Sequence, residues 1–100
     1  MRAIEVTTFK LNQRLTIEDF LVANTDVDAW LVKQPAFLSR RIARRGDGVV
    51  VDVLVWTNVS DGEDGAARLM VELADSPVHA AIDQRTVAWT MSPVHRLIER

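Results

Sequence analysis

Hydrophobic and polar positions along the chain predict four strands. Residues 2–11 are rich in β-branched and aromatic side chains and contain neither Gly nor Pro, which predicts a first strand. Residues 37–45 and 49–56 have the same character on either side of Gly46-Asp47-Gly48, which predicts a β-hairpin. Residues 85–91 alternate and predict a last strand with every second side chain on one side.

Helical spacing separates these strands. Thr16 followed by Asp19 is typical of a capped helix start, and Pro35 disfavours helical geometry in the residue before it, so we expect a helix from 17 to about 34. Ser60 to Glu63 repeats the capping spacing and predicts a second long helix, while Ser76-Pro77 predicts a short helical turn over 78–83. The expected buried positions are Ile17, Phe20, Leu21, Val27 and Leu31 in the first helix, and Ala66, Leu69, Met70 and Leu73 in the second.

The order β-α-β-β-α-β predicts an α+β, ferredoxin-like fold: a four-stranded antiparallel sheet with two helices on one face. Residues 49–56 are apolar on both sides. We expect the face with four valines to pack against the helices and the face with Leu54 and Trp56 to be covered by a second copy in a homodimer.

Asp52 stands between Val-rich segments in mid-strand, where a carboxylate is costly unless it is paired. A hairpin loop of two or four residues would place Arg41 opposite Asp52 and Phe37 opposite Trp56. A loop of three residues would shift this pairing by one. Asp52 is therefore either an ion-pair residue or a general base lining a cavity.

Composition excludes several classes of function. The chain has 100 residues, 48% of them hydrophobic, and no Cys, which indicates one domain over residues 1–100 without disulfides. Twelve basic and 14 acidic residues give a net charge of −2, which argues against nucleic-acid or membrane partners. Neither a secretory signal pattern nor a metal-ligand cluster stands out, so we expect a cytoplasmic protein without a bound metal.

Several segments resemble the dimeric α+β barrel superfamily, and within it bacterial proteins near the antibiotic biosynthesis monooxygenases. The resemblance covers about residues 2–95 and is carried by Val6–Leu11, Phe20–Asn24 with Asp28–Leu31, Gln34–Arg40 and Asp52–Trp56. It implies a homodimer with a pocket in each subunit between sheet and helices. Members with known activity oxidise polycyclic phenolic substrates with molecular oxygen, without metal or flavin, after the substrate is deprotonated.

A haem-degrading relative of this branch is a poor match. Trp56 matches its tryptophan at the end of the third strand, but its first-strand asparagine falls near Thr8 and its histidine falls at Ala66. The chain also contains no tyrosine that could act as a phenolic acid or base.

The residues singled out as candidate catalytic groups are Asn24, His79 and Asp52. Asn24 interrupts an apolar helix stripe, where a buried amide needs a hydrogen-bond partner. His79 can exchange protons near neutral pH. The candidate walls of a ligand pocket are Trp56, Trp30 and Trp89, although each also fits a packing role.

Two functions follow as expectations. The first is a monooxygenase-like enzyme that needs no cofactor and acts on a small ionisable aromatic or hydrophobic molecule. The second is a non-enzymatic, small-molecule-binding or stress-related dimeric barrel module.

Overall fold

In the computed structural model, which describes all 100 residues, the strands form one antiparallel sheet in the order β2-β3-β1-β4. The elements are β1 (Ala3–Leu11), α1 (Ile17–Ala23), α2 (Thr25–Leu31), β2 (Phe37–Arg44), β3 (Val50–Trp56), α3 (Val59–Glu72), α4 (Val78–Ala81) and β4 (Ile82–Pro93). The long connections carry the helices to one face. The expected ferredoxin-like α+β fold is confirmed.

The two faces of the sheet are the reverse of the expected ones. Leu54 and Trp56 point toward the helices and are 6% and 1% exposed, together with Val50 and Asp52. The valines Val51, Val53 and Val55 lie on the opposite, helix-free face and are only half-buried. The alternation of side chains along β3 does not show which face packs on the helices, because both faces are apolar. The larger side chains lie inside because only they fill the space between sheet and helices.

The predicted first helix is divided at Asn24. The capping box is present, since Asp19 N donates to Thr16 Oγ1 at 3.1 Å and Thr16 N donates to Asp19 Oδ2 at 2.8 Å. The residues expected to face inward do so, except Leu21, which is 48% exposed. The break at Asn24 separates α1 from α2 and lets the buried residues of both segments reach the core, where Phe20 packs on Phe9 with ring centroids 5.3 Å apart.

The hairpin uses the three-residue connection, so Ile42 and not Arg41 lies opposite Asp52. Gly48 in this turn has φ of +90°, a conformation that favours glycine. Phe37 still pairs with Trp56 because a register shift between Phe37 and Ser39 places one extra residue in β2.

Helix α3 is capped by Asn58, two residues before the expected cap Ser60, through a 2.8 Å bond from Asp61 N to Asn58 Oδ1, and it begins at Val59. Met70, expected to be buried, is 59% exposed. The helix is instead held against the sheet by its early turns. After α4, which ends at Ala81, β4 starts at Ile82, three residues before the expected start of the last strand.

Candidate functional site

A cavity of about 480 Å³ lies between the inner face of the sheet and the helices. Its floor comes from β1, β3 and β4 together with Arg40 of β2, and its walls come from α1, α2, α3 and α4. Most of the lining is apolar, with a few polar groups among it. The ionisable lining residues are Glu5, Arg40, Asp52, Glu63 and His79. Three carboxylates therefore face one guanidinium around this space.

Trp56 forms one side of the cavity and is fixed by the glycines of α3. A methyl group added at Gly65 would lie 2.6 Å from Trp56 Cη2, and one added at Gly62 would lie 3.0 Å from Cδ1. Such distances are shorter than any ordinary carbon contact, so only glycine lets the helix backbone rest on the indole. Phe37 packs against the same indole edge to face, with centroids 5.9 Å apart.

Glu5 holds both indole N–H groups of the site. Trp56 Nε1 donates to Glu5 Oε1 at 2.8 Å, and Trp89 Nε1 donates to Glu5 Oε2 at 2.7 Å. Glu5 is 8% exposed and lines the cavity. These bonds fix the orientation of Trp56 and Trp89 and place a carboxylate between them.

Asp52 forms an ion pair with Arg40 rather than with the expected Arg41. Arg40 donates from Nε to Asp52 Oδ1 at 3.0 Å and from NH2 to Oδ2 at 2.6 Å, a bidentate pair with both side chains 10% exposed. It also donates to Asn24 Oδ1 at 2.8 Å and to Asp28 Oδ1 at 2.9 Å. The three-residue turn explains the exchange, because it pairs Arg40 with the inward-facing Leu54 and so turns Arg41 to the outer face.

This network keeps the guanidinium of Arg40 protonated. Burial lowers the pKa of Arg40, but the hydrogen bonds and negative charges of Asp52 and Asp28 outweigh that effect and raise the pKa above its ordinary value. Asn24 completes the network, since its amide nitrogen donates to Phe20 O at 2.8 Å. The break between α1 and α2 thus coincides with a buried polar group that is fully bonded.

His79 lines the cavity from α4. Its Nε2 lies 2.8 Å from the carbonyl oxygen of Leu73, and because a carbonyl only accepts, Nε2 carries the proton in this contact. In the neutral ring, Nδ1 is then the nitrogen with a free lone pair.

Trp30 lies outside the cavity lining, on the surface between α2 and α3. Its indole N–H donates to Glu72 Oε1 at 3.3 Å, and the guanidinium of Arg68 lies 5.4 Å from the ring centroid. Trp30 ties the two helices together and forms no part of the cavity wall.

The cavity therefore brings together five of the six residues singled out in the sequence, namely Asn24, Asp52, Trp56, His79 and Trp89. Two of its residues were missed, Glu5 and Arg40. Glu5 shares its side of β1 with Ala3 and Phe9, which is the signal that could have found it. The inward orientation of Arg40 depends on the length of the hairpin loop, which the residue pattern leaves open.

The structure contains no group of three or more His, Asp or Glu side chains placed to hold a metal ion. None of its helices combines the length and the apolar character needed to cross a membrane.

Solved structures with this fold include oxygenases. SnoaB, a cofactor-independent oxygenase from Streptomyces nogalater, superposes with a TM-score of 0.75 at 16% identity over 99% of this chain and 98% of its own. The ActVA-Orf6 monooxygenase from Streptomyces coelicolor, solved with nanaomycin D, gives a TM-score of 0.73 at 20% identity over 98% of this chain and 91% of its own. A protein from Nitrosomonas europaea, described as a candidate antibiotic biosynthesis monooxygenase, gives 0.71 at 10% identity, with coverage of 94% and 90%.

Neither the family models nor the curated proteins give a match to the sequence. The chain thus has the fold of the antibiotic biosynthesis monooxygenase-like proteins, as the resemblance implied. At these identities the likeness concerns the fold alone.

Proposed function

We propose that this protein is a monooxygenase-like enzyme that oxidises a small ionisable aromatic or hydrophobic molecule with molecular oxygen and needs no resident cofactor. The observation that carries the proposal is the cavity of about 480 Å³, apolar over most of its lining and bordered by Asn24, Trp56 and His79. This size fits a planar molecule of two or three fused rings. Two neighbours in fold are oxygenases, one of them cofactor-independent.

Such a reaction begins with removal of a proton from the substrate, so the cavity must contain a base. Both oxygens of Asp52 are bonded to Arg40, which favours the ion-pair interpretation of Asp52 over the general-base one. Asn24 is engaged through both ends of its amide and acts on a ligand only by positioning Arg40. His79 keeps Nδ1 free and stays a candidate for proton transfer.

The internal bonding of Arg40, Asp52 and Asn24 also favours the second candidate, a non-enzymatic module that binds a small molecule. In that case the network only shapes the cavity. Turnover of oxygen separates the two functions, since a binding module would hold the ligand without consuming oxygen.

The test is oxygen uptake with naphthol and anthrone as probes, in buffer containing a chelator. We expect uptake that depends on native protein and falls severalfold in Ala66→Leu, which places extra side-chain volume against the cavity. Ala80→Leu, at an exposed position that does not line the cavity, is the matched control. A thermal shift caused by the probes without any oxygen uptake would support the binding module instead.

We also propose that the helix-free face of the sheet is covered by a second copy of the chain. The register aligns Ile4 with Val55 and Val6 with Val53 on this face, and Val51 extends the apolar stripe. This replaces the expectation that Leu54 and Trp56 form the contact. Light scattering at micromolar concentration should give twice the monomer mass, and a mass near 11.2 kDa would contradict the proposal.

A further inference from the structure

Glu5 is a buried carboxylate that no cation neutralises. It is 8% exposed, and none of the ion pairs in the structure includes it. The buried carboxylate Asp52, by contrast, has a bidentate arginine. Burial of an unpaired charge costs free energy, so its retention at this place calls for an explanation.

Sheet geometry explains how Glu5 is held. On the inner face, Trp56 lies opposite Ala3 and Trp89 lies opposite Thr7, so the two tryptophans flank Glu5 diagonally from the neighbouring strands β3 and β4. Each indole supplies one N–H to a different carboxylate oxygen. The carboxylate is thereby fixed in one orientation by two neutral donors.

These bonds leave acceptor capacity. An ionised carboxylate has about four acceptor positions, and the indoles use one on each oxygen. Because Glu5 lines the cavity, a bound molecule can reach the remaining positions. We propose that Glu5 is the base of this site: it accepts a hydrogen bond from a hydroxyl group of the ligand and then takes its proton.

The step is balanced within the pair. The O–H bond of the ligand breaks, the proton forms an O–H bond with a carboxylate oxygen of Glu5, and the electron pair stays on the ligand oxygen. Charge moves from the protein to the ligand, so the total charge of the site does not change. The chemistry rests on the proposed function, in which the ligand anion then reacts with oxygen, but the proton transfer itself needs no oxygen.

The charge of the lining selects the ligand class. Asp52 is neutralised by its pair with Arg40, so the unpaired Glu5 leaves the buried lining negatively charged and a ligand that arrives as an anion is repelled. A neutral ligand that donates a hydroxyl hydrogen is favoured. Carboxylates and phosphates, which arrive as anions, should therefore bind more weakly than a neutral ligand of the same shape.

The test uses naphthol and its methyl ether in buffer without oxygen. The two probes share their shape, but only naphthol donates a hydrogen. We expect the wild type to bind naphthol at least about tenfold more tightly than the ether, as a hydrogen bond to a charged group allows. In Glu5→Gln this ratio should fall toward one. Glu63→Gln, which removes the other carboxylate of the lining that lacks an arginine, is the matched control and should keep the preference.

A second measurement on the wild type does not depend on the folding of the variant. Naphthol becomes a strong acid in its excited state, so excitation beyond the tryptophan absorption band reports on a base within hydrogen-bond distance. Bound naphthol should show a larger naphtholate fraction of emission than free naphthol, and Glu5→Gln, where folded by circular dichroism, should lose this excess. Equal preference for the ether, no binding of naphthol, or an excess that persists in Glu5→Gln would overturn the assignment. Binding and proton transfer without oxygen uptake would leave Glu5 as the base and refute only the oxygenase function.

Discussion

Whether Gly65→Ala stabilises or destabilises the protein depends on one contact, the one between residue 65 and Trp56. Within a helix, Ala is favoured over Gly by up to about 1 kcal/mol, so a glycine in the middle of α3 is expected to gain stability when replaced. The contact with Trp56 opposes that gain. The new methyl group would lie 2.6 Å from Cη2, 2.8 Å from Cζ3 and 3.3 Å from Cζ2 of the indole. Ordinary carbon contacts begin at about 3.5 Å, so the ring or the helix must move by about 1 Å.

The size of the stability loss depends on whether Trp56 can move away from the added methyl group. Overpacking a closed core costs about 1–3 kcal/mol. Trp56 is 1% exposed and is held by its bond to Glu5, so it has no solvent side into which to rotate. If the ring shifts enough to break that bond, a further 1.5–3 kcal/mol or so is lost, as for hydrogen bonds to charged groups. After the helix gain of about 1 kcal/mol is subtracted, we expect Gly65→Ala to lower the free energy of unfolding by up to about 2 kcal/mol, or by up to about 5 kcal/mol if the bond to Glu5 also breaks.

The assay is urea unfolding followed by far-ultraviolet circular dichroism, with Gly46→Ala as the matched control. Gly46 has no atom within 4 Å of an added methyl group, so that variant should be neutral or slightly more stable. The penalty should shrink when Gly65→Ala is combined with Trp56→Phe, because the smaller ring leaves room for the methyl group. A stabilised Gly65→Ala, or a penalty that is unchanged beside Trp56→Phe, would refute the reasoning.

Three further predictions concern the network, the helix cap and the outer face. Asp52→Asn should lower the free energy of unfolding in urea by about 3 kcal/mol. This value is at the low end for breaking a buried ion pair because Arg40 keeps its other two partners. An unchanged unfolding midpoint together with lost naphthol binding would favour a catalytic Asp52. Hydrogen bonds from the Thr16 backbone amide and, to a smaller extent, with the Thr16 side chain lower the pKa of Asp19 from its ordinary value of 3.8. The stability that ionised Asp19 adds to the fold is therefore present above the unfolded pKa and is lost as the pH falls through the folded pKa. NMR titration should therefore give a low midpoint that rises in Thr16→Ala, and a midpoint unaffected by that change would contradict the capping account. Val53→Asp should yield a folded monomer by light scattering if the outer face joins two copies, and a surviving dimer would place the contact elsewhere.

The order of elements was predictable because local signals fix it. The Thr16 cap, the glycine-flanked hairpin and the β-branched strands each act within a few residues. The orientation of the sheet was not predictable, because Val51, Val53 and Val55 are as apolar as the residues between them. Only the volume between sheet and helices, a property of the folded molecule, places Trp56 inside.

The site was predictable to the extent that its residues stand out in sequence. Asn24 and Asp52 interrupt apolar runs and both line the cavity. The partner of Asp52 was missed because the hairpin loop has three residues rather than two or four, which exchanges Arg41 for Arg40 on the inner face. Glu5 stands out less, since an acid that alternates with apolar residues usually faces solvent, and only its place on the same side of β1 as Ala3 and Phe9 hints at its burial. Its burial follows from Trp56 and Trp89, which come from two other strands.

Trp56 links stability to the site. Gly62 and Gly65 allow α3 to pack directly against the indole. The turns that follow, from Ala66 to Met70, line the cavity. The helix thus meets the sheet at one end and leaves space under the other. The same indole donates to Glu5, so the contact that fixes α3 also orients the proposed base. A change that lifts the helix from Trp56 should therefore weaken naphthol binding before it unfolds the protein, and Gly65→Ala should lose its preference for naphthol over the ether at urea concentrations where its circular dichroism is still native. Loss of both signals at one midpoint would show that the two are not coupled in this way.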